Sequence, residues 1–519
     1  MAYTHIGLRR NAQQQLAEAL AHLRTEFELP SGFPPAVLAE LRTVLAGHRP
    51  AALDLTHVPF LTIDPPGATD LDQAMQLQTR GSGYLVRYAI ADVPSFVPAG
   101  GELDGEARRR GQTIYVPDGR IPMHPEQISE GAASLLPGQE RSAFVWELEL
   151  DAEAELLRTS LRRARVRSIA QLDYDQSQRY LDAGAQGDGQ GAPAEVLATL
   201  RLLREVGRRR AALERARGGA SLNVPDQQVE FDGSDYTLVA RPPLPVESWN
   251  AQISLLTGMA AAQLMLEGKV GILRTMPDPD PASVARYRLQ TEALGRPWSE
   301  DVAYGEYLRS LDTRAPRDLA LMHAASSLFR GAGYTPFDGE LPQQRLQAAV
   351  AAPYAHTTAP LRRLVDRFVL VICEALCAGT EVPAWAREAL PQLPVLMAAS
   401  DQLAARVDRA AIGTVEAALL STHIGREFDA VVIAGPRHNG NGNGNHNGNG
   451  NGGPARGTVQ LTEPPVTAPC EGALEAGTRI RVRLLKADIA TRSVLFEAVA
   501  APGLTQTPPI AAQAGKLGA

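Results

Sequence analysis

Cysteine is scarce in this chain. Three in 519 residues cannot build a disulfide scaffold, which points to a reducing, cytosolic setting. No stretch approaches the roughly 18 uninterrupted apolar residues of a membrane-spanning helix, so no membrane association is expected. The opening Met1-Ala-Tyr-Thr-His-Ile6 lacks the basic and apolar regions of a signal peptide. Lysine is nearly missing. Of 51 basic residues only Lys269, Lys486 and Lys516 are lysine, and the other 48 are arginine. GC-rich coding accounts for that bias, as does a demand for bidentate phosphate contacts, and composition does not choose between them. Against 58 acidic residues the net charge is −7, which excludes nucleic-acid binding by bulk positive charge but leaves room for a local basic channel.

What is present has an order. Asn11–Glu26 carries Leu16, Leu20 and Leu23 at helical spacing, and a Pro/Gly break over residues 30–35 precedes a second helix, Ala36–Leu45. The pair at 1–49 suits a helix-turn-helix module or a plain helical cap. From residue 50 strands come first: His57–Ile63, then a hairpin of Ala74–Thr79 and Tyr84–Val93 about Gly81-Ser-Gly83. Helical patterns dominate later, at Pro193–Arg217, Trp249–Leu266, Pro316–Arg330, Pro360–Cys377 and Val395–Leu420. This order predicts one large α+β domain over 50–420. Strand-like segments at Glu427–Ile433, Gly457–Leu461, Thr478–Leu485 and Ser493–Val499 predict a small β-barrel over 421–502. The Asn/Gly-rich run at 438–454 is a disordered insertion within it, and 503–519 a loose tail.

Two segments carry chemistry. Asp64 closes a strand, and Asp70 and Asp72 stand two apart where the next begins, so their side chains share a face. Three converging carboxylates repel one another unless a cation lies among them. Oxygen donors without nearby Cys or His favour Mg²⁺ or Mn²⁺. Aspartates also cap surface turns, and spacing alone leaves both readings open. In Tyr354-Ala-His-Thr-Thr-Ala-Pro360-Leu-Arg362-Arg363-Leu-Val-Asp366, the paired arginines are expected in the first turn of an apolar helix. Arg362 would face a phosphate with Asp366 orienting it at i,i+4, or the two would form an ordinary surface ion pair.

Together these segments resemble the catalytic domain of the ribonuclease II/ribonuclease R (RNB) family over about 50–420, followed by an S1-type barrel at about 424–500. Four blocks carry the resemblance. Thr62-Ile-Asp64 through Asp70-Leu-Asp72 is set against the family's T-I-D…D-x-D-D. Tyr88-Ala-Ile-Ala-Asp92-Val stands against V-A-I-A-D-V. Arg110-Gly-Gln-Thr-Ile-Tyr115-Val-Pro-Asp118 leads to Ile121-Pro-Met-His-Pro-Glu126. Thr358-Ala-Pro360-Leu-Arg362-Arg363 matches T-S-P-I-R-[KR]. Four blocks in the right order and spacing are far more specific than one.

The resemblance implies a processive 3′→5′ exoribonuclease, working on single-stranded RNA with a free 3′ end and releasing nucleoside 5′-monophosphates; the sequence gives no oligomeric state, and a monomer is the default expectation. It makes Asp64, Asp70 and Asp72 metal ligands, with Asp72 the most critical for chemistry. Arg362 grips the scissile phosphate beside Arg363. Tyr115 packs on the 3′-terminal nucleotide, and Asp408 stands near the RNA path where the family has a Glu. Two metals about 3.5–4 Å apart would activate water and neutralise charge, an arginine would add donors, and an aromatic would hold any base by stacking. Gln73 replaces a fourth acidic residue. Its carbonyl oxygen can still ligate, without charge, which predicts weaker binding of one metal and a shift towards Mn²⁺. The aromatic expected near Val270 is missing, and Gln347-Ala-Ala-Val350 replaces the family's His-Phe-Gly-Leu. The short helical segment stands where cold-shock barrels are usual, which predicts a more open RNA path.

Other residues read as structural: Cys373, Cys377 and Trp249 as core, His356 as structural or RNA-adjacent, and the arginines of 158–167 and 204–217 as solvated faces or channel walls. Few aromatics fall in the barrel, so its RNA affinity should be modest. Two other functions compete with the exoribonuclease. One is a non-catalytic RNA-binding protein that keeps the fold, for which Gln73 speaks. The other is an unrelated metal hydrolase for small phosphate esters, which would not need an S1-type module.

Overall fold

The computed structural model describes residues 10–184, 191–220, 227–231, 236–240, 243–312, 314–436 and 456–499. Strands β1 (Phe60–Ile63), β2 (Gln73–Arg80) and β3 (Gly83–Ala91) come first. A short hairpin of β4 (Ile114–Val116) and β5 (Gly119–Ile121) follows, then the long β6 (Glu140–Leu150) and β7 (Leu156–Leu172). β1, β2, β3, β6 and β7 form a closed barrel, sealed where β1 runs antiparallel to β2 and parallel to β7. The β2–β3 turn lies where glycine spacing predicts it. Arg80 faces Gly83, and Gly81 takes a φ of 59°, which costs any residue with a Cβ.

Side-chain size sorts the two faces of this sheet. Val86, Tyr88 and Ile90 alternate along β3, and Phe144, Trp146 and Leu148 along β6. They merge in one cluster with the helices Ala194–Ala216, Pro245–Gly268 and Leu364–Ala378. The intervening residues include Ala74, Ala89, Ala143 and Ala164, in a cluster that contains no helix residue. Small side chains suit the narrow interior of a five-stranded ring. Cys373 and Trp249 belong to the helix-facing cluster, with Cys377 packed against it, as expected. Of the arginines on β7, Arg158 and Arg162 pair with Glu149 and Glu147 on β6, and Arg165 with Asp54, a neutralised, solvated face.

A second closed barrel follows, built from Glu427–Ala434, Arg456–Leu461, Thr467–Glu471, Arg479–Asp488 and Ser493–Ala498. The strand Thr467–Glu471 adds to the four expected from the sequence; it contains Pro469, which lies opposite Thr458. The Asn/Gly run at 438–454 lies outside the described residues. Phe428 and Phe496, the aromatics of this barrel, are buried in its core. Its surface arginines Arg456, Arg481 and Arg483 are paired with carboxylates.

The N-terminal helices α1 (Arg10–Glu26) and α2 (Pro35–Gly47) direct their apolar faces to different neighbours. Leu16, Leu20 and Leu23 of α1 are buried with the C-terminal half of the long helix Leu393–Ser421 and the interior of the second barrel. Val37 and Leu41 of α2 pack instead with Leu103 of α3 (Glu102–Arg110) and with Val93, Phe96 and Val97 after β3. Among the described residues, no helix is long and apolar enough to cross a membrane. Leu20 is 1% exposed at the junction of α1, the long helix and the barrel. Leu20→Ala should cost about 2–5 kcal/mol, read as a lower denaturant midpoint for the transition that includes the second barrel.

Candidate active site

The acidic turn sits at one end of the first barrel because β1 ends at Ile63 and β2 starts at Gln73. Asp64, Asp70 and Asp72 all fall in the connection. Asp72 is only 3% exposed. Its Oδ1 accepts the backbone N–H of Leu361 at 2.7 Å, and its Oδ2 lies 3.4 Å from Nε of Arg362. One oxygen of Asp64 is buried with no hydrogen-bond partner. Burial pushes the Asp72 carboxyl up to about 8 and that of Asp64 up to about 7, against the pull of the Arg362 charge. Asp70 accepts from Tyr115 Oη at 2.7 Å and from Arg120 Nη1 at 3.0 Å.

The arginine motif differs from its expected form. Helix Leu364–Ala378 begins after both arginines, and Arg363 is its extended N-cap residue, with φ −134° and ψ 128°. Two backbone ties hold 361–363 out of the helix: Leu361 N–H donates to Asp72, and Arg363 bridges to Gln112. Without helical geometry the i,i+4 pairing of Arg362 with Asp366 does not form. Arg363 takes the carboxylate instead, through Nη2 at 2.8 Å and Nε at 3.0 Å. The buried Asp366 also accepts the Ala359 N–H at 2.7 Å, which fastens the turn from within. Arg362 is thereby left to face Asp72, its side chain 48% exposed.

Gln73 is engaged at both ends of its amide. Its Nε2 donates to the Thr358 carbonyl at 2.6 Å, and its Oε1 accepts from Tyr88 Oη at 2.7 Å. It ties β2 and β3 to the arginine motif, leaving its carbonyl one lone pair. Tyr115 is 49% exposed, with its phenol turned onto Asp70. Arg120 escaped the sequence reading although its signal was present. Val116-Pro-Asp-Gly119 is a turn sequence, and the turn sets Arg120 opposite Tyr115. Asp408 lies exposed on the helix Leu393–Ser421. Two turns earlier on that helix, Asp401 pairs with Arg274 at 3.4 Å. Arg274 stacks over Tyr334, whose hydroxyl meets Nδ1 of the half-buried His356 at 2.8 Å. Burial holds that imidazole well below its usual range, which suits a packed neutral ring beside the motif.

The donors suit a hard divalent cation: carboxylate oxygens only, one of them buried and unpartnered on Asp64. Among the described residues no three His, Cys, Asp or Glu side chains are already gathered to hold one. Asp70 is turned onto Tyr115 and Arg120, and Asp72 onto Leu361 and Arg362.

A barrel with an acidic turn at its end, an arginine motif laid across it and a second barrel behind defines a known class of protein. The RNB domain matches residues 52–379, and the RNase II-type exonuclease C-terminal S1 domain matches 426–499. The chain belongs to the RNB family. It is 27% identical over 358 residues to the mouse exosome complex exonuclease RRP44, covering 63% of this chain and 35% of that protein. It is 32% identical over 222 residues to exoribonuclease 2 of Edwardsiella piscicida, covering 42% and 34%. The chain thus spans about a third of the length of these curated relatives. In fold it is similar to the apo form of Mycoplasma genitalium RNase R, with a TM-score of 0.80 at 17% identity, covering 93% of this chain and 78% of that one. That enzyme has also been solved with ribose-methylated single-stranded RNA and with double-stranded RNA.

Behind the motif lies a buried charge layer. Arg367, fully buried, pairs with Asp104 of α3 at 2.7 Å. His124, also fully buried, stands near Arg367, Arg110 and Asp104; burial first, and then the Arg367 charge, pushes its imidazole down to about 3. The folded state keeps this ring neutral, while the unfolded chain protonates it below about 6.5. The unfolded state therefore binds more protons between those values, and stability falls as pH drops from about 6.5 towards 3. The loss from this one ring approaches about 1.4 kcal/mol per pH unit. Denaturant titrations at pH 7.5, 6 and 5 should show that slope shallower in His124→Gln by close to one proton.

Proposed function

We propose that the chain is a processive 3′→5′ exoribonuclease that hydrolyses single-stranded RNA with a free 3′ end to nucleoside 5′-monophosphates. On this reading it acts as a monomer in the cytoplasm. What carries the reading is the junction of the acidic turn with Arg362, made by Asp72 to residues 289 positions further along the chain. Asp64, Asp70 and Asp72 would hold divalent ions, Mg²⁺ or Mn²⁺, which when bound activate water and neutralise the phosphoryl oxygens. The chain's own side chains do the rest. Arg362, held beside Asp72 and open to solvent, presents guanidinium donors to the scissile phosphate where charge develops. Arg363, clamped on Asp366, fixes the backbone from which Arg362 projects. Tyr115 stacks on the terminal base without reading it, worth about 1–3 kcal/mol per base. Asp70, whose two oxygens each accept one hydrogen bond, from Tyr115 and from Arg120, would keep a lone pair on each for a divalent ion. Asp408 lies on the helix that would border the RNA path, where Asp401 and Arg274 stand nearer the motif.

A second reading is an RNA-binding protein without turnover. Gln73 favours it, being uncharged and hydrogen-bonded at both ends.

A short 5′-labelled single-stranded RNA, incubated with Mg²⁺, Mn²⁺ or EDTA, separates the two. Metal-dependent shortening to a small 5′-labelled end product is expected, blocked by EDTA and by Asp72→Asn. Arg362→Ala should lower turnover about 10²–10³-fold, the cost of one donor aimed at developing charge. RNA left intact yet shifted on a gel would establish the non-catalytic reading, and Gln73→Asp would then be the substitution that restores cleavage.

A further inference from the structure

The hairpin β4–β5 presents Tyr115, yet it is a two-stranded sheet on its own. Such a hairpin is marginal without outside support. One face carries Tyr115 and Arg120, both on Asp70. The other carries Ile114 and Ile121, buried against Leu29 and Val407. The root is tied to the arginine motif, since the Thr113 N–H donates to the Arg362 carbonyl at 3.0 Å. The tip is tied to α1. Arg24 donates from Nη1 and Nη2 to the two carboxylate oxygens of Asp118, both at 2.9 Å.

The segment that follows α1 makes the remaining ties. Leu29 fills the hairpin's apolar floor. Phe33 stacks under the Arg110 guanidinium at 3.9 Å, and Arg110 also reaches the Gly32 carbonyl. Glu26, at the end of α1, pairs with Arg492 of the second barrel. Residues 24–33 thus run from the second barrel to the hairpin and then to α3.

We propose that this segment is a strap that positions Tyr115, with Arg24 as its latch on Asp118. The inference rests on the reading that Tyr115 packs against the 3′-terminal nucleotide. Arg24 is a positioning residue: it acts through the hairpin and leaves the hydrolytic step alone. Removing the latch loosens the hairpin tip, so the terminal nucleotide is held less well while a nucleotide once seated is cleaved as before.

The test uses the full chain with Arg24→Asp, Asp118→Arg and the charge-swapped double variant. KM for single-stranded RNA should rise about fivefold in each single variant, the scale of one well-formed but partly exposed pair, with kcat within about a factor of two. The double variant should recover most of the lost KM, and thermal midpoints should barely move. A single variant with unchanged KM, or a double variant no better than its parents, overturns the latch. Amide hydrogen exchange over residues 113–121 reads the strap without any turnover. Exchange should quicken in the single variants and slow again in the swap; unchanged exchange overturns the strap. If the wild-type chain cleaves no RNA while the exchange pattern holds, the exoribonuclease reading has failed and the strap has not.

Discussion

A buried hydrogen bond sets how the two halves of the site meet. The Leu361 N–H donates to Asp72 at the foot of β2, and it fixes where the arginine motif lies relative to the acidic turn. A buried carboxylate demands compensation, and this one receives a backbone donor and a guanidinium. The same contact keeps residues 361–363 out of the helix that follows. Arg362 is consequently aimed by the backbone, whereas a helical first turn would have swung it towards Asp366.

Behind that contact the chain invests in buried ion pairs. Asp366 holds Arg363 and the Ala359 N–H, and Asp104 holds Arg367. Buried pairs add little net stability relative to apolar packing, but losing one partner is costly. They act here as register marks: a shift of one residue in the motif would strand a charge. Gln73 serves the same end without charge, bracing β2 against Thr358 and Tyr88.

Much of this was legible in the sequence. The Gly81-Ser-Gly83 turn with its two flanking strands, the leucine stripe of α1 and the acidic turn all follow from local rules, and the structure carries each of them. The failures share one cause, long-range pairing. Local pattern extends the helix back to Pro360, whereas contacts with Asp72 and Gln112 delay it to Leu364. The strand Thr467–Glu471, which contains Pro469, forms by pairing with its barrel neighbours. The two hydrogen bonds of Gln73 belong to partners on other segments, and nothing in its neighbouring sequence announces them.

The leucine stripe of α1 also bears on how the chain is made. Its partners are residues 410–420 and the second barrel. A ribosome adding about 5–20 residues per second leaves α1 waiting roughly 20–70 seconds before that helix begins to emerge. α2 finds its partner α3 within the first hundred or so residues. During that interval Leu16, Leu20 and Leu23 form an exposed apolar stripe on a nascent chain, the sort of surface that holdase chaperones bind. The core that joins α1 to the second barrel therefore closes only after the whole first barrel and its helices have been made.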